Sequence, residues 1–193
     1  MNQTPANGQH SHVTIALTNP KSPSNVGSVL RAAGCFNVSE ILYTGSRYDY
    51  AAAFCTDTQN LVSSIPLTGV NCLIESAPAG AKIVVVELAE NACSLPDFEH
   101  PENAFYIFGP EDGSVKQKVV NQADSVVYIP TKGCLNLAAT VNVVLYDRLA
   151  KSSQRKEGNE LVRQSRDVNN RLKVKVKVKV KVKSASKHSA ICD

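Results

Sequence analysis

Two loops in the second half of the chain hold the polar residues best placed to bind a ligand. An apolar run ends at Gly109-Pro110, and Glu111 follows directly. A second run, Ser125 to Ile129, ends at Pro130. Short buried strands that alternate with helices are typical of a parallel sheet, and in such sheets ligands bind beyond the carboxyl ends of the strands. The sequence therefore predicts a ligand site at the edge where these two loops meet.

A helix predicted over Leu135–Leu149 follows the second loop and carries two polar residues among apolar ones. Asn136 and Thr140 are four residues apart, so they share one face of the helix and need hydrogen-bond partners there. The rest of the segment is apolar nearly all round, which is typical of a helix buried on more than one side. In a chain of 193 residues, the second buried side indicates a subunit interface.

Cationic side chains near the first helix form another candidate group. A helix is predicted over Val26–Cys35, with Ser24 or Asn25 as its N-cap. Arg31 lies off the apolar face of this helix, where an arginine is most often a solvated charge. Downstream, the loop Thr44–Tyr50 interleaves Arg and Tyr, a mixture that suits contact with phosphates and stacked bases but equally suits an ordinary loop.

These candidate residues need a framework, and the pattern predicts a single α/β domain with a parallel sheet flanked by helices. Five strands are expected from short apolar, β-branched runs. Their ranges are 12–17, 40–43, 82–87, 104–108 and 125–129. Two further segments, 55–62 and 71–76, are predicted to be helical.

Charge is divided unevenly along the chain. Residues 1–150 contain 8 Lys and Arg and 13 Asp and Glu, a net charge of −5, whereas residues 151–193 contain 13 and 4, a net charge of +9. The basic end includes a Lys-Val repeat at 173–183, which is expected to be disordered when free because its lysines repel one another. An acidic body with a basic tail indicates a polyanionic partner engaged through the tail, or a tail that only aids solubility.

Composition excludes several classes of protein and site. The chain lacks both a run of about 18 apolar residues and an N-terminal signal pattern, so we expect a cytoplasmic protein with no membrane segment. The six cysteines include no C-x-x-C pair, and His10 and His12 have no other candidate ligands nearby, so no metal site is expected. The motifs of dinucleotide-binding and P-loop enzymes are absent.

Three sequence blocks together resemble the motifs of a known family. They are NVGSVLRA at 25–32, FGPEDG at 108–113 and IPTKGCLNLAA at 129–139. In this order and spacing they resemble the three motifs of the SpoU/TrmH family of SPOUT RNA 2′-O-ribose methyltransferases. The resemblance implies a SPOUT domain at 12–152, after a disordered lead at 1–11 and before a basic tail at 153–193.

The resemblance implies a fold, a cofactor and partners. The C-terminal part of the α/β domain would form a deep trefoil knot, a rare exception to unknotted topology. S-Adenosylmethionine (AdoMet) would bind within the knot, mainly through loop backbone groups at Leu88, Gly109, Ile129, Cys134 and Leu135. The substrate would be RNA, either tRNA or rRNA, and a homodimer would complete each active site across its interface.

The resemblance also implies four catalytic residues, Arg31, Asn25, Glu111 and Asn136. In the family, the arginine contacts the RNA phosphate and helps to remove the 2′-hydroxyl proton. Because a guanidinium stays protonated, we interpret Arg31 as a clamp on the phosphate rather than as a base. The other three also have structural interpretations: Asn25 as a helix cap, Glu111 as a macrodipole contact and Asn136 as a buried amide.

Two features depart from patterns seen among family members. Cys134 stands where serine is common, and a thiol is the weaker hydrogen-bond donor. With a strand predicted from His12, we expect no N-terminal RNA-binding domain. RNA capture is therefore assigned to the basic tail with Arg31, Arg47 and Lys132. The alternative function is a catalytically silent RNA-binding protein with the same fold.

Overall fold

The computed structural model describes residues 11–52, 65–153 and 155–174. The chain divides after Arg155 into two compact units. The first unit contains a sheet and the helices packed on it, and the described part of the second contains one short helix, Asn159–Ser165. The predicted boundaries of the lead and the tail stay predictions.

Seven parallel strands form the sheet in the described ranges. They are β1 (Val13–Leu17), β2 (Glu40–Tyr43), β3 (Leu67–Gly69), β4 (Lys82–Val86), β5 (Cys93–Ser94), β6 (Ala104–Phe108) and β7 (Ser125–Tyr128). Their order across the sheet is β3-β2-β1-β6-β4-β7-β5, and every pairing is parallel. The predicted α/β class with a parallel sheet is confirmed, and all carboxyl ends lie at one edge.

The sheet is buried on both faces, and its central strands are almost wholly apolar, with Thr14 the polar exception in β1. β1 and β6 are buried at every residue, as expected in the middle of a parallel sheet. One face packs against two long helices, α1 (Pro23–Cys35) and α4 (Leu137–Lys151). The other face packs against residues of the turn at 70–77 and of α3 (Gln117–Val120). The core therefore consists of two apolar layers, one on each side of the sheet.

The strand register places the ends of the central strands at the same level. Phe108 lies opposite Leu17 of β1 and opposite Val86 of β4, and Val86 lies opposite Val127 of β7. The loops that follow these strands consequently leave the sheet side by side. The sheet thus brings the two predicted ligand loops together at one edge.

The helix α1 begins earlier than predicted. Ser22 is its N-cap, and the Ser22 side chain accepts a hydrogen bond from the Asn25 N–H. The prediction of Ser24 or Asn25 as the cap is wrong. Pro23 explains the difference, because proline has the backbone angle of a first helical residue and no N–H that would need a partner.

The helix α4 begins two residues later than predicted and is capped by Asn136, whose Oδ1 accepts from the Ala139 N–H at 2.7 Å. Val141, Val144 and Leu145 of this helix are buried, whereas the apolar residues on the opposite side are exposed. The second buried side predicted from the sequence is therefore not buried within a single chain.

Several local predictions differ from the structure. The edge strands β3 and β5 were not expected, because three and two residues give no readable alternation. The second half of the predicted Arg-Tyr loop forms a short helix, α2 (Arg47–Ala52). The segment 71–76 is a hydrogen-bonded turn rather than a helix, and Pro78 disfavours its continuation. The predicted helix at 55–62 lies outside the described residues.

The second unit is described by its short helix, α5 (Asn159–Ser165), on which Leu161 and Val162 are exposed. Most of the Lys-Val repeat lies outside the described residues, so its predicted disorder stays a prediction. In the described ranges, no helix has the length and apolarity needed to cross a bilayer. The same ranges contain no group of three or more His, Cys, Asp or Glu side chains that could hold a metal ion.

Candidate active site

A cavity of about 420 Å³ opens at the carboxyl edge of the sheet. The loops that follow β4, β6 and β7 build it, together with residues at the starts of α1 and α4. Its lining residues are Asn25, Val86, Glu87, Leu88, Phe108, Gly109, Pro110, Glu111, Gly113, Ser114, Tyr128, Ile129, Thr131, Gly133, Cys134, Leu135, Asn136, Leu137 and Thr140. A cavity therefore lies where the sequence predicts a ligand site.

Most of the predicted site residues line this one cavity. All five predicted cofactor contacts are present: Leu88, Gly109, Ile129, Cys134 and Leu135. Of the four predicted catalytic residues, the three other than the arginine line it as well. Their placement agrees with a shared site, and the role of each residue stays a prediction.

The Glu111 carboxylate joins the loop after β6 to the start of α1. It accepts hydrogen bonds from the backbone N–H groups of Lys21 and Ser22, at 2.9 and 3.0 Å. It also accepts one from the Asn25 side-chain amide at 3.2 Å. The first turn of α1 contains no acidic residue, so Glu111 supplies the negative charge that this helix terminus favours. The macrodipole interpretation of Glu111 therefore fits α1 and does not exclude a role in the cavity.

Hydrogen bonding keeps Glu111 ionised. Partial burial raises the pKa of the carboxyl, but the hydrogen bonds from Ser22, Lys21 and Asn25 lower it more, so the net pKa lies below its ordinary value. The Asn25 side chain is consequently held by a charged partner rather than acting as the helix cap. Two of the predicted catalytic residues thus form one hydrogen-bonded unit.

Asn136 lies on the opposite wall of the cavity, at the start of α4. Its oxygen caps the helix, which leaves the Nδ2 group without a partner among the described residues. Asn136 is exposed, so its interpretation as a buried amide is wrong. The predicted polar strip is present, because the Thr140 hydroxyl donates to the Asn136 carbonyl at 2.9 Å and both residues line the cavity.

The loop between β7 and α4 holds its own shape. The Thr131 N–H donates to the Ile129 carbonyl at 2.8 Å, and the Thr131 hydroxyl donates to the Gly133 carbonyl at 2.7 Å. These bonds close a tight turn just before Cys134, which is exposed and lines the cavity. The backbone groups of this loop are therefore presented to the cavity by a local structure that does not depend on the thiol.

Arg31 does not line this cavity. Arg31 is exposed and lines a separate groove of about 510 Å³ between α1 and α4. Tyr48 and Asn142 also line this groove. Six residues separate Arg31 from Asn25, which corresponds to about 9 Å along a helix and about 240° around it. Within one chain, the structure brings Asn25, Glu111 and Asn136 together and places Arg31 elsewhere.

The other predicted RNA contacts are Arg47, next to the loop after β6, and Lys132, on the loop after β7. Arg47 donates two hydrogen bonds to the Asp112 carboxylate, at 2.9 and 3.1 Å, and the Lys21 ammonium lies 3.8 Å from the same carboxylate. The hydrogen bond from Arg47 is the largest cause that lowers the pKa of Asp112. Lys132 is exposed on the loop after β7. Arg47 is thus held next to the cavity by an ion pair.

Sequence reasoning missed Glu87, the residue that follows β4. Its two oxygens accept the backbone N–H groups of Leu88 and Val115, each at 2.9 Å, and it lines the cavity. A signal was present, because a carboxylate stood at the end of a buried strand on the predicted ligand edge. The prediction included this residue in the strand and thereby overlooked its side chain.

The charges of the cavity wall have one sign. Among its lining residues, the ionised side chains are Glu87 and Glu111, and no Lys or Arg is present. Apolar residues such as Val86, Leu88 and Ile129 form much of the remaining wall. An apolar cavity with a negative wall favours a ligand that carries positive charge beside an apolar or aromatic part.

The chain resembles known RNA methyltransferases in sequence and in fold. Residues 12–146 match the model of the SpoU rRNA Methylase family. An rRNA methyltransferase from Sinorhizobium meliloti has 21% identity and a TM-score of 0.62, covering 74% of this chain and 57% of its own. A structure described as an RNA 2′-O ribose methyltransferase has 20% identity and a TM-score of 0.61 at the same coverages.

A third similar structure contains a ligand. It is the SpoU methyltransferase AviRb from Streptomyces viridochromogenes in complex with the cofactor AdoMet, with 20% identity and a TM-score of 0.60, covering 72% of this chain and 57% of that protein. This chain therefore spans less than two thirds of the length of these three solved proteins. No curated protein sequence matches it at a significant level. The match over residues 12–146, well over half of the sequence, shows that the chain belongs to the SpoU rRNA methylase family.

Proposed function

We propose that the chain is an AdoMet-dependent RNA methyltransferase that methylates a ribose 2′-hydroxyl of tRNA or rRNA. Family membership supports RNA methylation, and the similar structure described as an RNA 2′-O ribose methyltransferase supports the ribose as the target. The observation that carries the proposal is the convergence of Asn25, Glu111 and Asn136, one from each motif block, on a single cavity.

The cavity suits AdoMet in size and in chemistry. Its volume of about 420 Å³ lies within the range of about 300–1,000 Å³ that is usual for small-molecule sites. The negative wall complements the positive sulfonium, and the apolar residues can contact the adenine. We propose that Leu88, Gly109, Ile129, Cys134 and Leu135 hold the cofactor, mainly through backbone groups. When bound, AdoMet would supply a methyl group activated by the sulfonium charge.

The chain's own residues position the nucleotide. In the proposal, the hydrogen-bonded unit of Asn25 and Glu111 supports the loop wall beside the ribose, and the unpaired Nδ2 group of Asn136 donates to the substrate from the opposite wall. Arg31 holds the adjacent phosphate. Because its guanidinium stays protonated, the 2′-hydroxyl proton leaves to that phosphate or to water. Positioning of this kind accounts for much of the rate of many enzymes.

The position of Arg31 supports a homodimer. It lies outside the cavity of its own chain, so we propose that it completes the cavity of a second copy. The exposed apolar side of α4 includes Val143, Tyr146 and Leu149. We propose that the second copy covers this side. These residues recur at helical spacing. Contact with a second copy would explain why the sequence of α4 is apolar nearly all round.

We also propose that the loops after β6 and β7 belong to a trefoil knot around the cofactor. Both loops leave the sheet at the same edge, from strands that flank β4, and both contribute to the cavity, which supports this topology. In such an arrangement, the crossed loops would hold their backbone groups in fixed positions and so preorganise the cofactor site. The Thr131 hydrogen bonds that shape the second loop are consistent with this function.

The proposed function is tested by methyl transfer from radiolabelled AdoMet to purified tRNA and rRNA, followed by mapping of 2′-O-methyl sites. We expect label in ribose, at a position that resists alkaline hydrolysis. Binding of RNA and AdoMet without incorporation would instead identify a catalytically silent RNA-binding protein. Incorporation into a base would contradict the ribose assignment but not the methyltransferase one.

A further inference from the structure

The Glu87 carboxylate is built into the junction of three loops. Its backbone N–H donates to the Val127 carbonyl at 3.0 Å, at the end of β7. Its side chain accepts from Leu88 in the loop after β4 and from buried Val115 beyond the loop after β6. Glu87 therefore holds together the strand ends whose loops build the cavity.

Close packing around this carboxylate is visible at Gly109. A Cβ atom added at Gly109 would lie 3.3 Å from Oε2 of Glu87, which is tighter than ordinary contact. The glycine thus allows the loop backbone to approach the carboxylate. The Glu87 carboxylate therefore stays in the wall of the cavity, where a side chain at position 109 would otherwise crowd it.

Among the described residues, no neighbouring cation neutralises the charge of Glu87. In the described ranges no cationic side chain forms an ion pair with it, and its two hydrogen bonds come from backbone groups. Two N–H donors stabilise a carboxylate but leave its net charge in place. Glu111 adds a second negative charge on another wall, without a cation beside it among the lining residues.

We propose that Glu87 is a positioning and specificity-determining residue, which makes the cavity prefer the cationic methyl donor over its neutral demethylated product. This inference rests on the proposed function. Transfer of the methyl group leaves both electrons of the broken carbon–sulfur bond on sulfur, so the sulfonium becomes a neutral thioether. The attraction to Glu87 is lost at that point, which favours exchange of product for fresh donor.

Glu87→Gln separates charge from shape. Glutamine has the same size and retains one acceptor oxygen, but its amide cannot accept the second backbone N–H and it carries no charge. Glu87→Asp keeps the charge on a shorter side chain. Glu90→Gln is the matched control, because Glu90 is an exposed carboxylate three residues further along that does not line the cavity.

The test is calorimetric binding of AdoMet and S-adenosylhomocysteine to the full-length chain. We expect Glu87→Gln to reduce the preference for AdoMet over S-adenosylhomocysteine roughly tenfold, which corresponds to about 1.4 kcal/mol. The preference should survive in Glu87→Asp and in Glu90→Gln. A purely structural role would weaken both ligands equally in Glu87→Gln, and an unchanged ratio of the two dissociation constants would overturn the inference.

Wild-type protein provides an independent measurement if Glu87→Gln does not fold. The amine analogue sinefungin carries a positive charge near the position of the sulfonium, so it should bind more tightly than S-adenosylhomocysteine. Equal affinities would count against the inference while leaving the proposed function intact. Failure of the wild type to bind any of the three ligands would instead overturn the proposed function.

Discussion

Glu111 supports the fold at the start of α1 and also lines the cavity of the proposed active site. Its carboxylate accepts two backbone N–H groups that precede α1 and also holds the Asn25 amide. Replacement by glutamine exchanges one acceptor oxygen for a donor, so at least one of these bonds is lost. We expect Glu111→Gln to lower the free energy of unfolding by about 1 kcal/mol, a modest value because the site is partly exposed and screened by solvent.

The pH dependence of this effect follows from the lowered pKa of Glu111. A carboxyl whose folded-state pKa lies below its unfolded value stabilises the fold above the unfolded pKa. That stabilisation is lost as the pH falls through the folded-state pKa. Urea denaturation should therefore separate wild type from Glu111→Gln at neutral pH, and the two should converge in acid. A difference that persists unchanged in acid would contradict this assignment.

Arg31 provides the second prediction at the residue scale. We expect Arg31→Ala to reduce methyl transfer by about 100-fold or more, because phosphate positioning is lost, while AdoMet affinity stays within about twofold of wild type. Calorimetry and labelled-methyl assays measure the two quantities. Lys118→Ala is a suitable control, since Lys118 is exposed and lines neither the cavity nor the groove.

Mixing two inactive variants tests whether Arg31 acts in the partner's cavity. Gly109→Val should block cofactor binding, since a side chain there would crowd Glu87. If Arg31 acts across a twofold interface, mixtures with Arg31→Ala should recover up to about a quarter of wild-type activity, because half of the random dimers then have one intact site. An inactive mixture, with subunit exchange verified, would place Arg31 in its own chain's site.

At the scale of elements, the apolar runs were sufficient to predict the five longest strands and both long helices. Each was right in type and close in extent because long buried segments have a clear period. The cap of α1 was misplaced because three residues within four positions, Ser22, Ser24 and Asn25, are all of types that can cap a helix. The edge strands, two and three residues long, depend on pairing partners that are distant in sequence.

The candidate site was predictable where a motif marked it and not where geometry alone builds it. Family-like motifs marked the lining residues, including Asn25 and Asn136. The end of a buried strand gave a signal for Glu87, but its hydrogen bond from Val115 joins residues 28 positions apart, which no local pattern encodes. The separation of Arg31 from the cavity follows from helix geometry that spacing could have indicated, since six residues do not return to the same helix face.

A partly buried polar network fixes α4 to the segment that leads into β6. His100 contacts the Tyr106 hydroxyl at 2.7 Å and Asp147 at 2.8 Å, with only 4% of its side chain exposed. Lys151 lies 2.7 Å from the same carboxylate, and Arg148 donates to Tyr106 at 3.2 Å. Sequence reasoning did not identify this network, because its members are up to 51 positions apart and become neighbours only when α4 packs on the sheet.

The network makes the stability of the first unit depend on pH. Burial is the main cause that lowers the pKa of His100 from its ordinary value of 6.5, against the opposing effect of Asp147. Folding therefore favours the neutral imidazole over the protonated one. As the pH falls through the ordinary pKa, the unfolded chain takes up a proton that the folded chain resists, so stability is lost.

His100→Leu is expected to remove this pH dependence. At about pH 8 the variant should be less stable than wild type by about 2 kcal/mol, because Tyr106 and Asp147 lose a buried partner. Between about pH 8 and pH 5, wild-type stability should fall more steeply than that of the variant. Chemical denaturation at several pH values measures both quantities. Parallel curves would show that His100 does not titrate on unfolding in this range.

At the scale of the whole molecule, charge and chemistry are divided between different parts of the chain. The first 150 residues, which contain the cavity, have a net charge of −5 and cannot attract RNA by general electrostatics. The last 43 residues have a net charge of +9. The prediction that follows is that the tail supplies most of the affinity for RNA, whereas the cavity determines which group is methylated.

Deletion of residues 173–193 tests this division, because it removes the Lys-Val repeat and leaves residues 151–172 in place. We expect RNA affinity to fall at least tenfold near 0.1 M salt, with AdoMet affinity unchanged, since each lost phosphate contact also reduces the salt dependence of binding. Filter binding over a salt series measures the slope.

A control chain with the six repeat lysines replaced by glutamine should behave like the deletion if charge is the cause. Equal slopes for wild type and deletion would show that cations within residues 1–172 hold the RNA instead, Arg31, Arg47 and Lys132 among them.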